Sequence, residues 1–204
     1  MRDHHLEERT VFTCFGYGSL VNAATLIPDV VAVPGKLRGW RRAWRHSGAS
    51  SYGGRCTLTV VPDAGCEIWG AIVALPHEER PALDRREAQY DVVAPSEEAV
   101  TWLAGRPEGW PDPHLYVGHE EYGRPGDADN PIMLSYLDVV LSGFHAVYGE
   151  AGIAHFLETT ADWHVPILDD RAAPRYPRAL SLDERQHARV DEAIAAAGAT
   201  KISL

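Results

Sequence analysis

The stretch Phe15-Gly16-Tyr17-Gly18-Ser19-Leu20 is the strongest indication of the fold, because it joins a buried strand to a glycine turn. The apolar run over residues 10–15 predicts a short strand, and a second apolar segment follows over residues 20–26. Two glycines flanking a tyrosine allow backbone conformations that a Cβ atom would forbid. Such a turn can direct several N–H groups at one point, which suits an anion or an oxyanion. The alternative is a tight turn without chemistry, since Gly-x-Gly often follows a strand.

The composition is that of a globular protein, with 204 residues of which 45% are hydrophobic. We predict a single domain over residues 1–204, with a core over about 10–160 and a C-terminal loop and helix extension over 161–204. A net charge of −10 argues against nucleic-acid binding, which needs a basic surface. No apolar run approaches the roughly 20 residues that span a bilayer, and residues 1–9 lack the apolar core of a signal peptide. The predicted location is therefore the cytoplasm, with no membrane partner.

The cysteines and histidines do not predict a metal site. Cys14, Cys56 and Cys66 include no C-x-x-C pair, so neither a disulfide framework nor a zinc knuckle is expected. Cys14 lies inside the first predicted strand, where we expect it to be a small buried hydrophobe. His114 and His119 fall on opposite faces of a predicted strand. No metal site is therefore predicted.

The first half of the chain predicts strands. Residues 57–61 and 67–75 are expected to form a hairpin across the turn Pro62-Asp63-Ala64-Gly65. Residues 97–103 favour a helical turn. Further strands are expected over residues 30–33, 37–44, 90–93 and 115–117, with Pro34-Gly35 separating the first two.

The second half predicts helices. Asn130-Pro131 favours the start of a buried helix that ends at Gly149, and residues 151–160 favour another. Ser181-x-x-Glu184 has the pattern of a capping box and predicts a last helix to about residue 197. Strands followed by helices favour an α+β architecture with one closed or strongly curved sheet.

One carboxylate occupies an unexpected place, in Leu83-Asp84-Arg85-Arg86-Glu87-Ala88-Gln89-Tyr90. If this segment is helical, Leu83, Glu87 and Tyr90 lie at i, i+4 and i+7 and share one apolar face. Burial there would raise the pKa of Glu87 toward neutrality and suit it to proton transfer. The alternative is an ion pair with Arg86 or another arginine at the edge of that face.

Two motifs in this order resemble the γ-glutamylcyclotransferase-like family, which includes ChaC-like glutathione-degrading enzymes and γ-glutamylamine cyclotransferases. They are Phe-Gly-Tyr-Gly-Ser-Leu after the first strand and Leu83-Asp84-x-x-Glu87-x-x-Tyr90 on a later helix. Val33-Pro34-Gly35-x-Leu37-x-Gly39-Trp40 and Glu67-Ile68-Trp69-Gly70-Ala71-Ile72-Val73 resemble the middle strands of that family. The resemblance covers residues 11–93 and, more loosely, the helix after Pro131.

This resemblance implies a small curved or barrel-like mixed sheet with flanking helices, and cofactor-free chemistry. A γ-glutamyl compound cyclises to 5-oxoproline when its own α-amine attacks its γ-carbonyl carbon, and an amine is released. Glu87 is then the general base and acid. The N–H groups of Gly18, Ser19 and Leu20 stabilise the oxyanion or the α-carboxylate of the substrate. The hydroxyls of Tyr17, Ser19 and Tyr90 orient the substrate, and Tyr136 matches a tyrosine that lines the pocket.

Several alternatives stay open at this point. The same fold could bind a small acid without turnover, and the leaving amine could belong to glutathione, a γ-glutamyl dipeptide, a γ-glutamylamine or a protected biosynthetic intermediate. The segment over residues 169–178 could fold over the pocket and hold a second substrate carboxylate with Arg171, Arg175 or Arg178. Otherwise it is a structural loop whose arginines pair with Asp169 and Asp170. The oligomeric state is left open.

Overall fold

The structure is a computed structural model that describes residues 11–27, 30–47 and 54–203. The predicted beginning of the first strand at Thr10 and the charged start over residues 1–9 lie outside the described residues. Within the described ranges the chain forms ten strands and four α-helices. The strands are β1 (Val11–Gly16), β2 (Val31–Ser47), β3 (Cys56–Pro76), β4 (Tyr90–Val93), β5 (Val100–Trp102), β6 (Leu115–Gly118), β7 (Ile132–Met133), β8 (Thr160–Ala161), β9 (Ile167–Leu168) and β10 (Lys201–Ile202). The helices are α1 (Arg80–Arg86), α2 (Leu134–Tyr148), α3 (Glu150–Glu158) and α4 (Glu184–Ala196).

The long antiparallel strands β2 and β3 form the centre of an eight-stranded mixed sheet. On the outer side of β3 lie β1 and β7, on the outer side of β2 lie β5 and β8, and β9 and β10 continue beyond β7. Register shifts between Arg38 and Trp40 and between Ala43 and His46 interrupt the central ladder, and such bulges bend strands. β4 and β6 pair separately, and a bridge between Cys14 and His114 connects them to β1. The predicted α+β fold, a mixed sheet with flanking helices, is confirmed.

The predicted break at Pro34-Gly35 is wrong, because β2 runs through it without interruption. The carbonyl of Pro34 accepts a hydrogen bond from the N–H of Leu103, on the side of β2 that faces away from β3. The N and C=O of one strand residue lie on the same side, so the missing N–H of proline leaves the ladder to β3 intact.

The predicted hairpin within residues 57–75 is also wrong, because these residues form the single strand β3. Pro62 pairs with Trp40 of β2, opposite the first register shift, so the turn-like residues are accommodated as a bulge and not as a chain reversal. The carboxylate of Asp63 accepts hydrogen bonds from the Arg41 side chain and from the N–H of Gly65. On both sides of this bulge, over residues 56–62 and 67–74, β3 pairs antiparallel with β2.

Three helix boundaries differ from the predicted ones, two because neighbouring residues pair as strands and one because a different residue caps the helix. The helical turn near residue 97 covers only Glu97–Ala99, since the following residues form β5 on the edge of β2. The helix expected at Asn130-Pro131 begins at Leu134, because β7 pairs with β3 and β9 first. Asp183, and not Ser181, caps α4, and its capping box closes with Gln186.

The core lies between the sheet and α2, whose predicted burial is confirmed. The helix ends as predicted at Gly149, which has a φ of 65°. Cys14, Cys56 and Cys66 are buried and free, and burial raises the pKa of the Cys14 thiol to about 12. In the part of the chain that the structure describes, no helix is long and apolar enough to cross a membrane. Nor does any group of three or more His, Cys, Asp or Glu side chains there suit a metal ion.

Candidate active site

The glycine turn follows β1 directly and is held in place by two short 3₁₀ helices. In the first, Ser19–Val21, the N–H of Val21 bonds to the carbonyl of Gly18 at 3.0 Å. Asn22 caps the second, Ala23–Thr25, and its side-chain amide donates to the carbonyl of Val139 on α2 at 2.8 Å. The turn is therefore attached to the buried helix as well as to the sheet.

Both glycines of the turn are needed for space. Neither Gly16 nor Gly18 has a positive φ. A Cβ atom on Gly16 would lie 2.7 Å from the Cβ of Leu20, closer than real Cβ atoms approach. A Cβ atom on Gly18 would lie 3.1 Å from the Tyr136 hydroxyl oxygen and 3.3 Å from Cδ1 of Leu58. The missing side chains of Gly16 and Gly18 let the turn pack closely against Leu20 and against Tyr136 of α2.

The turn presents three backbone N–H groups without partners. Among the residues described, no hydrogen bond uses the N–H of Gly18, Ser19 or Leu20. The first N–H groups of a helical turn have no carbonyl within the helix to bond to, so they are available to an anion. This geometry agrees with the predicted anion-binding turn.

A single cavity brings the predicted site residues together. Its volume is about 40 Å³, enough for a few water-sized groups. The turn after β1, the end of α1, and strands β3, β4 and β6 meet there with α2. The cavity is lined by Phe15, Gly16, Tyr17, Gly18, Ser19, Leu20, Leu58, Glu87, Tyr90, Tyr116 and Tyr136.

Glu87 reaches this cavity from the end of a helix, not from its middle. α1 ends at Arg86, and Glu87 is its C-terminal cap, with its N–H bonded to the carbonyl of Leu83 at 2.9 Å. Tyr90 does not continue the helix, because it begins β4 and pairs with Gly118 of β6. The predicted helical face through Leu83, Glu87 and Tyr90 is therefore wrong. A tight turn, closed by the Tyr90 N–H and the Glu87 carbonyl at 2.8 Å, brings both side chains to the cavity instead.

The surroundings of Glu87 combine burial with a positive charge. Its side chain is 16% exposed, and its Oε1 lies 3.1 Å from Nε of Arg86. Burial raises the pKa of Glu87, while the positive charges of Arg86 and Arg178 oppose that rise. Arg86 also donates from Nη2 to the Ser19 hydroxyl at 3.0 Å. The cavity position and the ion pair with Arg86, treated above as alternatives, are both present.

Tyr17, Tyr90 and Tyr136 are neutral, and the hydroxyls of Tyr17 and Tyr90 already donate to backbone carbonyls. Tyr17 donates to the carbonyl of Tyr116 at 2.6 Å, and Tyr90 donates to the carbonyl of Leu58 at 2.9 Å. Burial raises the pKa of Tyr17, Tyr90 and Tyr136 well above the ordinary value. Since their protons are engaged, Tyr17 and Tyr90 offer a ligand only an acceptor oxygen, which suits an ammonium group.

Four residues line the cavity without having been singled out for it in the sequence. Phe15 and Gly16 belong to the opening motif, and Leu58 and Tyr116 lie on predicted strands. Tyr116 donates its hydroxyl to Asp84 at 2.8 Å, which connects β6 to α1. Strand alternation alone does not tell which face of β3 or β6 meets α1, so no sequence signal distinguishes these two positions.

The three arginines of the C-terminal segment, Arg171, Arg175 and Arg178, lie in different environments. The side chain of Arg171 bonds to Asp138 at 2.7 Å and to Asp191 at 3.0 Å, and its guanidinium does not pair with Asp169 or Asp170. It therefore joins α2 to α4 and is unavailable to a ligand. Arg175 is exposed, whereas Arg178 is half-buried and lies close enough to Glu87 to affect its pKa.

Solved structures of similar fold include a gamma-glutamyl cyclotransferase, with a TM-score of 0.55, 15% identity, and coverage of 89% of this chain and 99% of that one. An uncharacterized protein from Homo sapiens is similar over 89% of this chain and 99% of its own, with a TM-score of 0.56 and 15% identity. YkqA from Bacillus subtilis has a TM-score of 0.53 and 14% identity, over 74% of this chain and 55% of its own. Neither a protein-family model nor a curated protein matches the sequence. The chain thus has the γ-glutamylcyclotransferase-like fold, and the resemblance found in its motifs is confirmed at the level of the fold.

Proposed function

We propose that this protein is a γ-glutamylcyclotransferase-type enzyme. It cyclises a γ-glutamyl amide, peptide or amine to 5-oxoproline and releases the amine. One observation carries the proposal: Glu87, whose pKa burial raises, lines the same cavity as the unbonded N–H groups of Gly18, Ser19 and Leu20. A proton-transfer group and an oxyanion site in one cavity are what such a cyclisation needs.

The first step is attack of the substrate's α-amine on its own γ-carbonyl carbon. The α-amine is an ammonium group near neutral pH and must lose a proton before it can attack. Ionised Glu87 accepts that proton, and the acceptor oxygens of Tyr17 and Tyr90 hold the ammonium group until then. The raised pKa makes Glu87 a stronger base than an exposed glutamate would be.

The second step is collapse of the tetrahedral intermediate. Its oxyanion takes hydrogen bonds from the N–H groups of the turn, and losing one such donor typically costs about 3 kcal/mol in the barrier. The bond between the γ-carbon and the leaving nitrogen breaks as Glu87 returns its proton to that nitrogen. The ring nitrogen then loses its second proton, which Glu87 passes to the released amine, so the products are the neutral lactam and an ammonium ion. Water takes no part, and Glu87 ends in its starting ionisation state.

The test is release of 5-oxoproline from a panel of glutathione, γ-glutamyl dipeptides and γ-glutamylamines. We expect turnover of at least one compound, and a loss of about 10²- to 10⁴-fold in kcat in Glu87→Gln. Undiminished activity in Glu87→Gln would remove this residue from the mechanism. Binding of a panel compound without any 5-oxoproline would instead support a binding protein on the same fold.

A further inference from the structure

The C-terminal segment that carries Arg178 is fixed to the start of α2. The carboxylate of Asp170 accepts hydrogen bonds from the N–H of Ser135 at 2.8 Å, the Ser135 hydroxyl at 2.6 Å and the N–H of Arg175 at 2.8 Å. The N–H of Tyr176 donates to the same hydroxyl at 3.2 Å. Met133, the N-cap residue of α2, has no side chain that can cap the helix. Asp170, which is distant in the sequence, takes that role by accepting the Ser135 N–H. The position of the segment is therefore determined by buried polar contacts.

From that attachment the segment reaches the wall of the cavity through aromatic contacts. The centroids of the Tyr176 and Tyr136 rings lie 4.9 Å apart. Tyr136 lines the cavity, and its hydroxyl oxygen lies 3.1 Å from where a Cβ atom on Gly18 would be. The guanidinium of Arg178 lies 5.2 Å from the Tyr176 ring centroid, and its Nε donates to the Tyr176 hydroxyl at 3.2 Å. Only the Tyr176 side chain thus lies between Arg178 and the lining tyrosine, and the charge of Arg178 acts on the pKa of Glu87.

The charge of Arg178 has no carboxylate partner within the described ranges. No ion pair there includes it, and Nε makes its one hydrogen bond, so both terminal nitrogens are left for a ligand. Arg171, seven positions earlier, is by contrast engaged by two carboxylates. An arginine held by its Nε beside an aromatic ring presents a fork that suits a carboxylate.

We propose that Arg178 binds a carboxylate on the leaving amine, so that the enzyme favours γ-glutamyl amino acids or peptides over plain γ-glutamylamines. This inference rests on the proposed function. The γ-carbon must lie between Glu87 and the turn, and the cavity is small. In this proposal the γ-carbon and the reacting nitrogen occupy the space between Glu87 and the turn, and the leaving part extends past Tyr136, on the side where Tyr176 and Arg178 pack.

The test compares two substrates that differ only in this carboxylate, γ-glutamylalanine and γ-glutamylethylamine. In Arg178→Met we expect KM for γ-glutamylalanine to rise about 10- to 100-fold, because a charge-assisted hydrogen-bonded pair is lost. KM for γ-glutamylethylamine should stay within about twofold, and Arg178→Lys should restore part of the preference. Arg175→Met is the matched control, since that side chain is exposed on the same segment.

The outcomes separate this inference from the proposed function. Equal losses on both substrates, or an unchanged preference in Arg178→Met, would overturn the role of Arg178 while 5-oxoproline release still supports the enzyme. Absence of 5-oxoproline from both substrates with the wild-type protein would overturn the proposed function and this inference with it.

Discussion

Nε of Arg86 lies 3.1 Å from Oε1 of Glu87, a carboxylate that lines the cavity and is largely shielded from water. The same guanidinium donates to the Ser19 hydroxyl, so one side chain contacts both the proposed base and the turn. Burial favours the neutral acid and Arg86 favours the ionised form. Arg86 therefore helps to set the pH at which Glu87 can accept a proton.

Replacing Arg86 should move the pH profile of the reaction. In Arg86→Met the pKa of Glu87 rises further, because the nearest opposite charge is gone. The acid limb of kcat/KM should shift to higher pH by about 1 to 3 units, since that limb reports the base of the free enzyme. The measurement is kcat/KM for the best panel substrate as a function of pH.

The control for that experiment is Arg85→Met, which removes an exposed arginine next to it in the sequence. Its acid limb should coincide with that of the wild-type protein. An acid limb that stays in place in Arg86→Met, or moves to lower pH, would contradict the role given to this ion pair.

The pKa of Glu87 also predicts how stability depends on pH. Because this pKa is higher in the folded than in the unfolded chain, the folded protein binds more protons. Stability from this group is therefore full below the unfolded value of about 4.3 and is lost as the pH rises through the folded pKa. Relative to wild type, Glu87→Gln should gain about 1.4 kcal/mol per unit of pKa shift across that window.

Urea unfolding of both proteins at a series of pH values measures this difference. The comparison cancels the other carboxylates, such as Asp63 and Asp191, whose lowered pKa values act in the opposite direction. A difference in unfolding free energy that does not change with pH would contradict the shift assigned to Glu87.

Adding a methyl group at Gly18 should impair catalysis more than folding. A Cβ there meets Tyr136 and Leu58 at tight but not prohibitive distances, so the turn must shift by a few tenths of an ångström. The three N–H groups would then move away from the oxyanion, and we expect a loss in kcat of about 10-fold or more in Gly18→Ala. Gly65→Ala, which meets only ordinary contact at 3.6 Å, is the control, and equal kcat in the two variants would contradict the prediction.

Removing Asp170 should destabilise the folded protein. Asp170→Ala leaves the Ser135 N–H and hydroxyl and the Arg175 N–H without their buried acceptor. We expect a loss of about 2 to 4 kcal/mol in unfolding free energy, measured by urea titration. Asp169→Ala, on an exposed neighbour whose hydrogen bond is long at 3.3 Å, should change stability by about 0.5 kcal/mol or less. Similar values for the two variants would show that Asp170 is not the cap of α2.

The fold was largely predictable where pattern and pairing agree. The apolar run of β1 and the buried helix α2 follow from local periodicity. Residues 62–65 and Pro34-Gly35 carry strong turn signals, yet both lie inside long strands, because the ladder between β2 and β3 outweighs local preference. The short strands β5 and β7 form because they pair with β2 and β3. These partners are distant in the sequence, so the local pattern does not predict either strand.

The residues predicted for the candidate site line one cavity, but the contacts that bring them there were not predicted. Two motifs about 70 residues apart in the sequence meet in one cavity, as their chemistry suggested. Glu87 reaches the cavity from the end of α1, because the chain turns there into β4, which pairs with β6. The two glycines are required by close contacts with Leu20 and with Tyr136 of α2. The position of Arg178 depends on the hydrogen bonds that attach residues 170–176 to Ser135. These contacts are distant in the sequence, so the residues around Arg178 do not predict them.

The central claim is that Glu87 and the turn cyclise a γ-glutamyl group, and product analysis in ¹⁸O-water tests it most directly. Wild-type protein incubated with γ-glutamylalanine should form equal amounts of 5-oxoproline and alanine, with no ¹⁸O in the 5-oxoproline and no free glutamate. Free glutamate carrying ¹⁸O would show hydrolysis instead of cyclisation. That result, or 5-oxoproline formation that persists unchanged in Glu87→Gln, would contradict the account.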